Sequence, residues 1–516
     1  MPTKRNIEAK AKSLLNSDPE EALQIYMDIY KVFPEEFNTW DAFHSLKVSR
    51  LVQNSDLSWA KELVEKYKDE RVANLYGWLI FDKCVKGKQS KELILNEDFI
   101  SILPKYSPQK NLRKDSRYPC PTTISIFNLV DAFAESLFNA NKVNELLSVL
   151  QPDLLSDQSR TLESAQRGDV ELASDLEKFY ALKTKALLKL GEYEETIAFC
   201  KEALQAFDKY HYNNDLWFNM RIAIAEEKLG NFMKSEMLFK KLLSSRTGSD
   251  KWFLYRNISE IYFEKQEHKK AWKYAIDAAY YGKETHFLIG LYLLQARILY
   301  KLDRSEEGRV LAELIGAILN EQQWNDKLEY NRLFQYYSIN RDSVRDIKEV
   351  LVEAKEFWNK ERYGSLSRIN GKVISVHKNG KIGQLKSTQG KICDFHKKDL
   401  RKKTRNLHQF KGLNAEYFEI ESENGKIHAE DILVRQPEKT GIPNKLIGKS
   451  IEGTIKNITD FGIFVQIMGL PDGLLHKNNL SFKLRNTFKD DFKIGDKIMV
   501  VIQQETDKGL QLGYVS

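Results

Sequence analysis

Gly453-x-Ile455-x-x-Ile458-x-x-Phe461-Gly462-x-Phe464-Val465-x-Ile467, then Asp472-Gly473-Leu474-Leu475-His476, then Phe492-x-Ile494-Gly495-Asp496-x-Ile498-x-Val500, is the stretch that decides how the end of this chain folds. Apolar and polar residues alternate along it and glycines stand at the turns, which predicts half-buried strands of a small antiparallel barrel. Phe461 and Phe464 fall in the exposed phase of one such strand, and His476 follows a turn. Flat rings on a barrel surface are suited to stacking unpaired bases.

The same residues resemble the S1 RNA-binding domain, over about one seventh of the chain. That resemblance implies an OB-fold barrel for residues 445–516, with Phe461, Phe464 and His476 as its stacking surface and Lys477 beside them. The family often adds an aspartate and an arginine near the last strand. Here the segment reads Glu505-Thr506-Asp507-Lys508-Gly509-Leu510, so the acid is Glu505 or Asp507 and the arginine is missing.

Residues 368–434 predict a second all-β unit, bounded as 365–436. Gly371-Lys372-Val373-Ile374-Ser375-Val376, Gly380-Lys381-Ile382-Gly383-Gln384-Leu385, Phe395-His396-Lys397-Lys398-Asp399-Leu400 and Gly412-Leu413-Asn414-Ala415-Glu416-Tyr417-Phe418 follow the strand order of a cold-shock domain, which they resemble. That family places aromatics where Ser375, Val376, Ile382 and Gln384 stand here, and of its stacking set the Phe395-His396 pair remains. Two roles stay open for this unit. It binds a nucleic-acid backbone through Lys397, Lys398, Arg401, Lys402, Lys403 and Arg405, or it is a spacer.

Before residue 365 the period becomes helical and repeats. Thr196, Ser235, Ala271 and Gly308 are small and lie 39, 36 and 37 residues apart, each followed by apolar positions four and seven residues on. A small residue is needed where the two helices of a hairpin approach closely. The layout resembles the tetratricopeptide repeat with lengthened loops, clearest over 179–316, with Pro19-Glu20-Glu21-Ala22, Tyr26, Ile29 and Pro34 as an earlier half-repeat and Ala60, Val64 and Tyr67 as a weaker copy. A hairpin is expected at 123–151 and capping helices at 327–361. Trp217, Trp252, Tyr255, Tyr262 and Trp272 read as interhelix packing, and the basic stretch Pro104–Pro121 as an exposed loop. Such arrays bury a continuous core and present a concave surface to a peptide or protein.

The fold class is therefore a multidomain α plus β chain: a TPR-like solenoid over 1–364, then two small OB barrels. Charge divides the same way. Residues 365–516 hold 26 Lys and Arg against 17 Asp and Glu, while residues 1–364 hold 54 against 56, so the positive excess sits with the barrels. The four cysteines are scattered singly, which predicts a reducing compartment and no zinc site. No apolar run reaches the length of a membrane span, and the expected location is the cytoplasm, unanchored.

The chain has no phosphate-binding loop, no HExxH and no nucleophile elbow. Arg401 and His408 match the short Arg…His signature of certain helical ribonucleases, but they fall in a barrel loop. The sequence thus predicts no catalysis, cofactor or metal. It predicts an adaptor that binds single-stranded RNA, with single-stranded DNA left open, and docks a protein or peptide on the helices. The alternatives are a protein-only scaffold with decayed barrels and, from the resemblance of such fusions to proteins of those operons, an accessory component of a bacterial conflict or phage-defence system.

Overall fold

In a computed structural model, all residues are described except 1–2, 111–119, 136, 163–169, 246, 284, 326, 402–403, 405, 423–424, 436–445, 469, 507–508 and 516. The chain divides into two compact units, Met1–Ser365 and Leu366–Ser516.

The first unit is a stack of helical hairpins. Its four most regular pairs are Asp175–Leu190 with Tyr193–Ala206, Asn214–Lys228 with Phe232–Ser244, Trp252–Glu264 with His268–Tyr281, and Ile289–Lys301 with Ser305–Glu321. Thr196, Ser235, Ala271 and Gly308 are all buried at the second helix of each pair. The reason differs from pair to pair. Ser235 Oγ donates to the Ala223 carbonyl 2.7 Å away, so a hydroxyl spans the close approach. At Gly308 a Cβ would lie 2.1 Å from Tyr337 Oη, and that hydroxyl in turn donates to the Ala296 carbonyl at 2.9 Å. The turns also repeat: Gly191 and Gly230 take positive φ, and Gln266 and Asp303 take it at the matching places in the next two pairs.

Earlier in the chain, Asp18 caps the helix Pro19–Val32 through the Glu21 N–H, and Ala22, Tyr26 and Ile29 are buried. Helices Pro121–Ala134 and Ala140–Ser148 pack against each other, and Leu328–Tyr337 and Ile347–Tyr363 follow the last hairpin. Tyr255, Tyr262 and Trp272 are buried, while half-buried Trp217 stacks on Phe253 at 4.9 Å. One element has no sequence precursor in the helical pattern: a small antiparallel pair, β1 (Arg160–Leu162) with β2 (Val170–Leu172). In the Pro104–Pro121 stretch Lys110 pairs with Glu70, while Arg113, Lys114 and Arg117 lie outside the described residues.

The second unit contains two closed five-stranded barrels. The first is β3 (Ile369–Val376), β4 (Ile382–Ser387), β5 (Ile392–His396), β6 (Asn414–Glu421) and β7 (Ile427–Val434); the second is β8 (Ser450–Thr459), β9 (Gly462–Gln466), β10 (Gly473–His476), β11 (Lys497–Thr506) and β12 (Gly509–Tyr514). Both share one topology. Strands one, two and three form an antiparallel meander, strand three closes on strand five in parallel, and strand four pairs with strand one. This is the OB arrangement. Each first strand also carries a bulge, between Val373 and Ser375 and between Ile455 and Asn457, which bends the strand so that it can serve both sides of a closed barrel. The cores are separate: Val373, Leu385, Phe395 and Tyr417 in one, Ile455, Val465, Leu475 and Ile502 in the other.

Candidate nucleic-acid interface

Along β9, Ile463 and Val465 point inward and are fully buried, so the period-2 alternation turns Phe464 outward. Phe464 lies in register with Asn457 of β8 on one side and Leu474 of β10 on the other. Phe461 occupies the turn just before β9 and is 47% exposed. The two rings meet edge to face, with centroids 6.0 Å apart and planes at 85°. They offer two differently tilted faces rather than a flat shelf.

The glycine between them is required by close approach. A Cβ at Gly462 would lie 2.5 Å from the Leu475 carbonyl oxygen and 2.9 Å from His476 Cα, so any side chain there would push β9 away from β10. Gly462 is in register with His476, and the Lys477 N–H donates to the Phe461 carbonyl at 3.0 Å. Phe461, Phe464, His476 and Lys477 are therefore brought to one corner of the barrel. His476 Nδ1 accepts the Asn478 N–H at 3.2 Å, which places the proton of the neutral ring on Nε2 and fixes the ring's orientation. Lys489 pairs with Asp460 at the same corner and holds that carboxyl below its usual range. The Glu505 side chain and Asp507 lie outside the described residues.

The first barrel uses the same register with other residues. Ser375 pairs with Gln384 as Asn457 pairs with Phe464, and Ile382 pairs with His396 as Gly462 pairs with His476. The Lys397 N–H donates to the Lys381 carbonyl at 2.9 Å, just as Lys477 does to Phe461. Lys381, Gln384, His396 and Lys397 are thus the counterparts of Phe461, Phe464, His476 and Lys477. Gln384 is held in a polar ladder across three strands, with the Ser375 hydroxyl on its Oε1 at 2.9 Å and its Nε2 donating to Asp394 at 3.0 Å.

Two expectations for this barrel need correcting. Phe395 is 0% exposed: it is the counterpart of Leu475 and lies in the core beneath Gly383, where a Cβ would meet its ring at 2.5 Å. It cannot stack a base, and His396 alone of that pair faces solvent. Arg401 is committed to a bidentate ion pair with Asp431, at 2.8 and 2.9 Å, which Arg368 joins from the start of β3. The pair ties the segment after β5 to a left-handed residue in β7, a structural task. Lys398 is exposed; Lys402, Lys403 and Arg405 lie outside the described residues.

Charge also separates the barrels. Residues 366–435 hold 15 Lys and Arg against 8 Asp and Glu, and residues 446–515 hold 9 against 8. The barrel with the edge-to-face phenylalanine pair is nearly neutral, and the barrel without it is strongly basic.

Residues 446–513 match the S1 RNA binding domain family. The last barrel is the part of the chain that this family model covers. Two curated relatives are the small ribosomal subunit protein bS1c of Porphyra purpurea, 27% identical over 185 residues (36% of this chain, 67% of the relative), and bS1 of Leuconostoc lactis, 26% identical over 169 residues (31% and 38%). The chain thus spans two thirds of one of these relatives and under two fifths of the other. For the helical unit, a tetratricopeptide repeat protein from Parabacteroides merdae has a solved structure with 14% identity and a TM-score of 0.33, covering 61% of this chain and 99% of that one.

Among the described residues no group of His, Cys, Asp and Glu is placed to hold a metal, and no helix is long and apolar enough to cross a membrane. The four cysteines are free and buried, and burial pushes the Cys84 and Cys393 thiols up to about 11, far from a reactive thiolate. The sequence reading missed Phe482, which is 86% exposed in the segment between β10 and β11. Its signal was available: Leu480, Leu484 and Phe488 recur every four residues and pack into the barrel, and Phe482 stands off that stripe.

Proposed function

We propose that this chain is a non-enzymatic, cytoplasmic adaptor that holds single-stranded RNA on its two barrels and a protein or peptide partner on its helical array. The observation that carries the reading is the Phe461–Phe464 pair, tilted edge to face beside His476 on an S1 barrel. Bases stack on such rings whatever their identity, because every base has a π-face. The first barrel contributes differently: its excess of cations attracts phosphates, and its ladder of Ser375, Gln384 and Asp394 stands where the other barrel has Phe464, with His396 as the ring that remains at the corner. The array supports a docking role because its buried aromatics go into packing between helices, and stacks of this kind leave an extended surface for a partner.

The test is retention of the full chain on single-stranded RNA, single-stranded DNA and duplex RNA at low and moderate salt. The reading expects retention on single strands, strongest for RNA, that weakens as salt rises. Absence of retention on every strand at low salt would favour a protein-only scaffold.

A further inference from the structure

Resting on the reading of the S1 barrel as a single-strand RNA binder, we propose that Phe482, followed by Lys483 and Arg485, is a separate base-stacking subsite that takes the unpaired base beyond those on Phe461 and Phe464.

The segment from Lys477 to Lys489 arches from the end of β10 back to the corner where it began. At its start His476 accepts the Asn478 N–H, and Arg485 Nη2 donates to the Asn478 carbonyl at 3.1 Å. At its far end Lys489 pairs with Asp460, the neighbour of Phe461. Both feet of the arch are therefore fastened to the stacking corner. Its inner side is equally fixed, because Leu480 and Phe488 are buried in the barrel core and Leu484 packs against it. The Leu484 and Arg485 N–H groups both donate to the Ser481 carbonyl at 3.0 Å, which closes a turn around Phe482.

That geometry leaves Phe482 with an outward ring on a rigid support. An apolar ring 86% exposed gains nothing from folding, and its neighbour Phe488, 4% exposed, shows where a core phenylalanine of this segment goes. Lys483 and Arg485, one and three residues after it, are exposed and would supply charge to the phosphates of a strand whose base lies on that ring. Aromatic residues interleaved with cations beside the proposed stacking corner suit continuation of one strand, since backbone and base are then held together.

The experiment uses the full chain and a series of single-stranded RNA oligonucleotides of increasing length. Phe482→Ala is compared with the parent, with Phe482→Trp and with Phe461→Ala, and thermal melting confirms that each variant stays folded. The subsite predicts that Phe482→Ala binds the shortest strands like the parent and loses about tenfold on longer ones, while Phe482→Trp keeps the parent affinity at all lengths. If Phe482→Ala matches the parent at every length while Phe461→Ala is weakened, the subsite is wrong and the RNA reading stands. Equal loss at every length contradicts an added base, because the effect would then arise in the corner itself. If neither variant changes binding, the RNA reading of this barrel fails and the subsite fails with it.

Discussion

The two barrels differ least in their backbones and most in the side chains set on one corner. Both close strand three on strand five, both bulge in the first strand, and both tie the residue after strand three to the turn before strand two. Onto that shared corner one barrel sets Phe461, Phe464, His476 and Lys477, and the other Lys381, Gln384, His396 and Lys397. The barrel with the phenylalanine pair is almost neutral and the one without it carries the cations. On the proposed reading, one fold supports two physical modes of holding a strand, stacking and counterion release, which respond differently to salt.

The largest effect separating the barrels is expected from Gly462→Val. Its Cβ would run into backbone on β10, which cannot yield as a side chain can, so the S1 barrel should lose about 1–3 kcal/mol through overpacking. Ring-dependent binding should go with it. Gly383→Ala in the first barrel meets the Phe395 ring at 2.5 Å and the Ser375 carbonyl oxygen at 3.1 Å, a looser backbone approach than at Gly462, and should be milder. Thermal melts of the two variants check this, and a Gly462→Val variant as stable as the parent would contradict the close approach of β9 to β10.

A second variant breaks the comparison from the other side. Replacing Lys381, Lys397 and Lys398 together with alanine should leave binding at high salt little changed and flatten the dependence of affinity on salt, by about 0.7 in the log–log slope for each phosphate released. An unchanged slope would make the first barrel a spacer.

The smallest expected change is a gain. Lys381→Phe with Gln384→Phe builds the S1 corner onto the first barrel; losing one cation and the Gln384 bonds offsets most of the stacking, leaving roughly a threefold rise in affinity at moderate salt. A loss there would mean that the first corner does not face the strand.

The S1 barrel was legible in the sequence because alternation, turn glycines and paired phenylalanines all constrain the same short stretch, and the TPR-like array because small residues recur at nearly constant spacing. The failures have local causes. Phe395 and His396 are adjacent, and adjacent strand residues face opposite ways, so sequence placed both in one site while the register sends Phe395 inward under Gly383. Arg401 looked available because Asp431, its partner, lies 30 residues away across the barrel. Phe482 sits in a segment without strand alternation, where only the four-residue spacing of its buried neighbours separates inside from outside. The β1–β2 pair has three residues per strand, too few to show a period.

The central claim is that one barrel holds the strand by stacking and the other by charge. Its most direct test is the affinity of the full chain for single-stranded RNA across a range of salt, for the parent and for Phe461→Ala with Phe464→Ala. The account predicts affinity lower by about tenfold or more at every salt concentration, on a line parallel to the parent's, because rings are removed and charge is not. A folded double variant that binds as tightly as the parent would contradict it.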